Sequence, residues 1–313
     1  MMPVEPTLSS YRNPLSRYFF ATRPPFLLAT LVACLLGIAS ATWGGLQLQI
    51  DLAIITVLLA LLTHAAVNVL NDYFDALNGT DDLNTERLYP FTGGSRFIQN
   101  GVLTAAQTAR FGYALLAAVM LGGLWLVSKT GSEMLWLGAG GLLIGWAYSA
   151  PPLKLNSHGL GELCVLLGFL GLTVGADFVQ RKTFAWQPVI VGLPYALLVT
   201  NLLFINQFPD RQADIQVGKR HWVARLPLHQ VTLGYPLIAG LAMLCMFWGV
   251  WAGVLPKASL LSALPVLFSF IASQHLMYFA EMPVRLRPAI QLTLAAMLGH
   301  GLMLTLILFW EHA

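Results

Sequence analysis

The sequence predicts an all-α membrane protein, a bundle of nine transmembrane helices. Three observations predict it. The 313 residues are 57% hydrophobic and only 10% charged, against roughly 25% charged in a soluble domain. Mean hydropathy is +0.69. The apolar residues also fall into runs of about 20, the length a helix needs to cross a bilayer.

The runs follow in order. Residues 1–24 carry Arg12, Arg17 and Arg23 without a continuous apolar core ahead of a small-residue cleavage site. They read as a cytoplasmic N-terminal segment, and the next run as a retained first helix. That helix, 25–46, starts after Arg23-Pro24; the second, 52–70, ends in Asn68 and leads into polar sequence. The third and fourth, 108–128 and 134–150, are divided by a short stretch holding Lys129 and Gly131. The fifth, 160–180, opens at Glu162, where an acid suits the helix dipole. The sixth, 187–205, leads into the second long polar segment, and 231–253, 259–280 and 288–310 complete the set. No polar linker divides the chain, so residues 1–313 read as one domain. A net charge of +3 gives no argument for nucleic acid, and no protein partner is expected. Cys34, Cys164 and Cys245 all lie in apolar runs and read as small buried residues.

Charge sets the orientation. With the N-terminus inside, 13 of the 17 basic residues fall on the inner side, and only Lys129, Arg181, Lys182 and Lys257 fall outside. The positive-inside rule then predicts a multi-pass protein of the cell (inner) membrane, its N-terminus cytoplasmic. The long polar segments 71–107 and 206–230, and the segment 148–162, converge on the cytoplasmic face.

Two aspartate clusters stand in those segments. Asn68, Asp72 and Asp75 lie at i, i+4 and i+7, with Asn71 four before Asp75 and Asp81 just beyond. Asn206, Asp210 and Asp214 repeat at i, i+4 and i+8. Each set lies along one helix stripe, and the second and sixth runs resemble a faint internal repeat. Carboxylates at a membrane boundary are costly unless paired or metal-bound. Mg²⁺ prefers oxygen ligands and is usually held by one or two carboxylates plus substrate phosphate. Two such clusters predict Mg²⁺ on both sides of a diphosphate, at a site on the cytoplasmic face. Basic residues stand close by. Arg87 and Arg96 follow the first cluster, Lys219 and Arg220 the second, and both residue types pair with phosphate. The glycine-rich Phe91-Thr92-Gly93-Gly94-Ser95-Arg96 could approach a diphosphate through backbone N–H groups.

These residues resemble the UbiA superfamily of intramembrane aromatic prenyltransferases. Asn71-Asp72-Tyr73-Phe74-Asp75 looks like its first motif; Asp210 to Asp214 with Gly218-Lys219-Arg220 looks like its second. Tyr148 to Leu155 and Gly159 to Glu162 resemble the segment between its fourth and fifth helices, and Arg23-Pro24-Pro25-Phe26 its entry to the first. The Asn71, Asp75, Asp81 spacing, with Gly79 between, looks like the menaquinone-type branch, which prenylates 1,4-dihydroxy-2-naphthoate. Pro209 departs from that branch, many members of which have Arg there. The resemblance implies a Mg²⁺-dependent transferase with two substrates, a polyprenyl diphosphate and an aromatic acceptor. It implies Asn71, Asp75, Asp81, Asp210 and Asp214 as metal ligands and Asp72, Asp75, Asp210 and Asp214 as catalytic. Arg87, Arg96, Lys219 and Arg220 would hold the diphosphate, and Tyr148 and Lys154 the acceptor. 4-Hydroxybenzoate and homogentisate are the alternative acceptors. The rival class is a secondary transporter of an anionic solute, but transporter sites lie near the bilayer midplane and these polar groups gather at one face. His64, Asp177 and Glu162 stay outside the expected site.

Overall fold

Helix length positions the polar chemistry. The computed structural model describes residues 4–312, and among them all regular structure is helical. Residues 1–3 and 313 of the expected single domain lie outside the described residues. The helices are α1 (Pro14–Ala21), α2 (Pro24–Trp43), α3 (Ile50–Asn78), α4 (Thr80–Leu83), α5 (Ala105–Thr130), α6 (Glu133–Ser149), α7 (Gly161–Arg181), α8 (Gln187–Gln216), α9 (Trp222–Arg225), α10 (Leu228–Val231), α11 (Gly234–Trp251), α12 (Leu267–Phe279) and α13 (Arg287–His312).

Local signals set several boundaries. Asn13 caps α1, its side chain accepting from Leu15 N at 2.9 Å. Prolines open α2, where a missing N–H costs nothing. Thr104 and Gln107 form a reciprocal capping box at α5. Pro265 interrupts the expected 259–280 run, which is a 3₁₀ turn over Lys257–Ala263 followed by α12.

α3 has 29 residues and α8 has 30, each about 44 Å long at 1.5 Å per residue. A hydrocarbon core is about 30 Å thick, so each helix has roughly ten residues to spare. The expected second and sixth spans stop at 70 and 205; both helices instead run on, to Asn78 and Gln216, and the aspartates ride on those extensions. Pro209 lies inside α8 and does not end it.

Among the described residues eight segments are long and apolar enough to cross a membrane, where the sequence predicts nine. The difference is α6. Its 17 residues reach about 26 Å, short of the core thickness. The protein is a multi-pass membrane protein. Its surface carries large apolar side chains, with Trp136, Trp186, Trp251, Tyr278 and Trp310 facing outward, as in the aromatic belts of membrane proteins.

α8 is the most buried span and packs against α2, α7, α11 and α13. Its Tyr195, Leu198 and Ile205 join Leu36, Tyr235, Ile290, Met297 and Leu304 in the main core. In lipid the helices associate through close packing, not through escape from water. At Gly37 of α2 an added Cβ would stand 2.1 Å from the Thr173 carbonyl of α7, so only glycine fits. The Thr173 hydroxyl donates to the Ala33 carbonyl at 3.1 Å across the same seam.

Candidate active site

A cavity of about 350 Å³ opens between α2, α3, α6, α7 and α8. Phe26, Val67, Ile144, Phe169 and Leu172 line its apolar part; Asn71, Asp75, Asp81, Asp210, Asp214 and Lys219 line its polar part. The volume lies in the range of small-molecule sites.

The two clusters meet across Lys219. Its Nζ stands 3.0 Å from Asp75 Oδ1 on α3 and 3.0 Å from Asp214 Oδ1 on α8. Burial pulls this ammonium down, and Asp75 and Asp214 more than reverse it, holding Lys219 above the ordinary lysine value. His221 Nε2 lies 3.0 Å from Asp214 Oδ2. Asn71 donates to Asp75 Oδ2 at 3.0 Å and to the Ser149 hydroxyl at 2.8 Å, and Asn78 donates to Asp75 Oδ1 at 3.1 Å. Asn84 donates to Asp210 Oδ1 at 2.6 Å, which joins the segment after α4 to α8.

The glycine-rich loop packs on the same aspartates. Asp72 is buried and accepts from Ser95 N, both oxygens at 3.2 Å. Gly93 N donates to Asp210 Oδ2 at 3.4 Å. Gly94 has φ +72, and a Cβ there would stand 2.6 Å from Asp81 Oδ2 and 3.0 Å from Asp72 Oδ1. The position therefore demands glycine by conformation and by space. Burial, then the charges of Asp75, Asp72 and Asp210, push the Asp81 carboxyl up to about 9.

The expected site residues divide. Asn71, Asp75, Asp81, Asp210, Asp214, Lys219 and Tyr148 line the one cavity. Asp72 does not; it anchors the loop. Arg87 pairs with Glu5 at 2.7 Å, and Arg96 donates to the Asp81 carbonyl and lies 3.9 Å from Glu5. Both arginines clasp the N-terminal arm to the loop instead of lining the cavity. Arg220 is exposed, and its backbone N–H donates to the Ser157 carbonyl at 2.7 Å. Lys154 also stands outside the lining. Asn84, His221, Asn156 and Arg23 line it without having been singled out as site residues. Proximity to the motifs was the available signal for the first two. His64, one turn deeper than Asn68, also lines it, its Nδ1 2.8 Å from the Thr30 hydroxyl.

The donor set fits a hard cation. It is all oxygen: the carboxylates of Asp75, Asp81, Asp210 and Asp214 and the Asn71 amide line one cavity. Among the described residues no three His, Cys, Asp or Glu side chains form a cage by themselves. Mg²⁺ needs no closed protein cage, because it keeps waters and shares ligand phosphates.

The profile of the UbiA prenyltransferase family matches residues 26–309. UbiA prenyltransferase domain-containing protein 1 of Xenopus tropicalis is 28% identical over 67% of this chain and 59% of its own length. The 1,4-dihydroxy-2-naphthoate octaprenyltransferase of Escherichia coli is 29% identical over 65% of this chain and 66% of its own. The enzyme of that name from Haemophilus influenzae is 25% identical over 88% and 89%. The first three relatives are thus matched over 59%, 64% and 66% of their lengths. Among solved structures, a UbiA homologue from Archaeoglobus fulgidus bound to DMAPP and Mg²⁺ superposes with a TM-score of 0.66 at 14% identity, covering 93% of this chain and 99% of that one. One from Aeropyrum pernix K1 gives 0.64 at 20% identity, covering 88% and 96%. The shared fold is all that these two likenesses carry.

Proposed function

We propose that this chain, which belongs to the UbiA prenyltransferase family, transfers a polyprenyl group from its diphosphate to a hydroxylated aromatic ring, with 1,4-dihydroxy-2-naphthoate as first acceptor. One observation carries the reading. A single cavity joins an apolar chamber to a mouth where two aspartate clusters and a buried lysine converge. That is the polarity profile of a prenyl diphosphate. The naphthoate choice rests on curated relatives named for that acceptor at 25–29% identity and on the Asn71, Asp75, Asp81 spacing.

Asn71, Asp75 and Asp81 from one side, and Asp210 and Asp214 from the other, would hold Mg²⁺. When bound, it neutralises the diphosphate and makes it a better leaving group. Lys219 stands between the clusters and supplies a further positive charge to the leaving oxygens. Asn84 and His221 fix the orientations of Asp210 and Asp214. The allylic cation left on the prenyl carbon is attacked by the electron-rich ring, which regains aromaticity by losing its carboxylate as CO₂ or, in a ring attacked at a C–H position, a proton. Phe26, Phe169 and their apolar neighbours keep water from quenching it. Tyr148 forms part of the acceptor's wall. We read α6 as the ninth crossing and the mouth as cytoplasmic, on the distribution of basic residues.

Purified protein in detergent, given Mg²⁺ and labelled polyprenyl diphosphates, is tested against dihydroxynaphthoate, 4-hydroxybenzoate and homogentisate. Prenylated naphthoate is expected, and activity should vanish in excess EDTA. Product from hydroxybenzoate alone would refute the acceptor and keep the transferase; full turnover in EDTA would refute the metal's role.

A further inference from the structure

Gln207 lies on α8 between the metal-facing Asp210 and the deeper apolar chamber, lines the cavity, and is 9% exposed. Its Nε2 donates to Glu162 Oε1 of α7 at 2.8 Å. That bond fixes the amide: turned over, two acceptor oxygens would face each other. Gln207 Oε1 and Glu162 Oε2 are then both buried, and neither has a donor. Buried acceptors without partners are rare and costly. The aspartate clusters do not explain these two, since neither oxygen is tied to Lys219, His221 or the glycine-rich loop.

The substrates of the proposed reaction differ in what they can offer. A prenyl diphosphate is a hydrocarbon joined to acceptor oxygens and has no donor to give. A hydroxylated ring has one in each hydroxyl. Resting on the proposed transferase, we infer that Gln207 Oε1 receives a ring hydroxyl of the aromatic acceptor, and that Glu162 is a positioning residue that holds the Gln207 amide in its accepting orientation. Glu162 does not line the cavity, so it acts through Gln207. It opens α7, where the helix N-terminus favours its charge. A hydrogen bond from the hydroxyl also draws electron density toward the ring carbon that attacks.

The test reads binding as well as turnover. Titrations use 1,4-dihydroxy-2-naphthoate, 4-hydroxybenzoate and their methyl ethers, with prenyl diphosphate and Mg²⁺ binding measured separately. Wild type should prefer the hydroxyl over the ether by about tenfold. Gln207→Leu should erase that preference and raise the acceptor KM about as much, with prenyl diphosphate affinity unchanged. Glu162→Gln keeps an oxygen for the Gln207 amide and should keep the preference; Glu162→Leu should lose it. Equal binding of hydroxyl and ether by wild type would overturn the inference. So would a preference that survives Gln207→Leu, or that survives Glu162→Leu if Gln207→Leu no longer binds prenyl diphosphate. If wild type binds none of the rings, the transferase reading itself fails, a different result from rings bound without regard to the hydroxyl.

Discussion

Lys219→Met should destabilise the metal-free protein and be rescued by what the site holds. The ammonium stands 3.0 Å from Asp75 and 3.0 Å from Asp214, and the three side chains are only 11%, 14% and 7% exposed. Methionine fills similar volume without charge, so packing is nearly kept while two buried carboxylates lose their partner. Removing one member of a buried ion pair costs about 3–5 kcal/mol. Proton uptake by the stranded carboxylates sets the lower end. For a chain of this size that is a melting temperature lower by roughly 5–15 °C. The assay is thermal unfolding in detergent, in EDTA and then with Mg²⁺ and a prenyl diphosphate. The added cation replaces the missing charge, so the gap between variant and wild type should close by more than half. The triple variant Asp75→Asn, Lys219→Met, Asp214→Asn should recover most of the stability without any ligand, because neither carboxylate partner of Lys219 is left charged. A single variant that melts with wild type in EDTA would refute the reasoning. So would a triple variant less stable than the single.

Other expectations follow from the same geometry. Asp75→Ala and Asp210→Ala should each cut turnover by orders of magnitude, since they remove donors from opposite sides of one diphosphate; sensitivity of only one cluster would break the two-sided arrangement. Gly94→Ala should cost about 1–2 kcal/mol for its left-handed backbone alone, and more for the contact with Asp81 and Asp72; unfolding and turnover, measured together, should both worsen. The N-terminal arm should loosen in acid. Burial pushes the Glu5 carboxyl up, but its bonds to Arg87 and Asn100 and the charge of Arg96 outweigh this and hold it below the ordinary value. An acid so depressed stabilises above its unfolded value, near 4.3, and loses that contribution as pH falls through the folded one. Amide exchange over residues 4–13 should therefore quicken only below about pH 4. A cysteine at Leu83, which is exposed, should label from the cytoplasmic face alone; labelling from outside would invert the proposed topology.

The sequence exposes the chemistry of this site more readily than its wiring. In a chain with 10% charge, paired Asn–Asp stripes stand out because each one is expensive in a membrane. Helical spacing then places Asn71 with Asp75 and Asp210 with Asp214 on common faces. Spacing alone cannot separate Asp72 from Asp75. The two lie on nearly the same stripe, and which one meets the cavity depends on the loop at Gly93–Arg96 packing over Asp72. The arginines show the same limit. Arg87 and Arg96 look like phosphate ligands until Glu5, 82 and 91 positions away, is brought beside them. The ninth span is hard to judge from sequence for a simpler reason: α6 is largely apolar but only 17 residues long, near the shortest length that crosses a bilayer.

The overlong helices explain why the site lies where it does. An aspartate within the hydrocarbon would need a partner at every stage of folding, whereas on a ten-residue extension it enters the interface with water at hand. α3 and α8 each carry such an extension, and each is anchored at the opposite membrane face by polar contacts. Gln49 pairs with Gln180 beside the start of α3, and Gln187 donates to the Ser40 carbonyl at the start of α8. With those ends pinned, the excess length of both helices must emerge on one side. The clusters are thereby held across from each other without a long loop to align them. Shortening α3 by one turn near its N-terminal end should draw Asn71 and Asp75 about 5 Å toward that end, out of register with Asp210 and Asp214. Turnover should fall far more than helix content. Unchanged turnover in the shortened protein would show that loop contacts, not helix length, set the register.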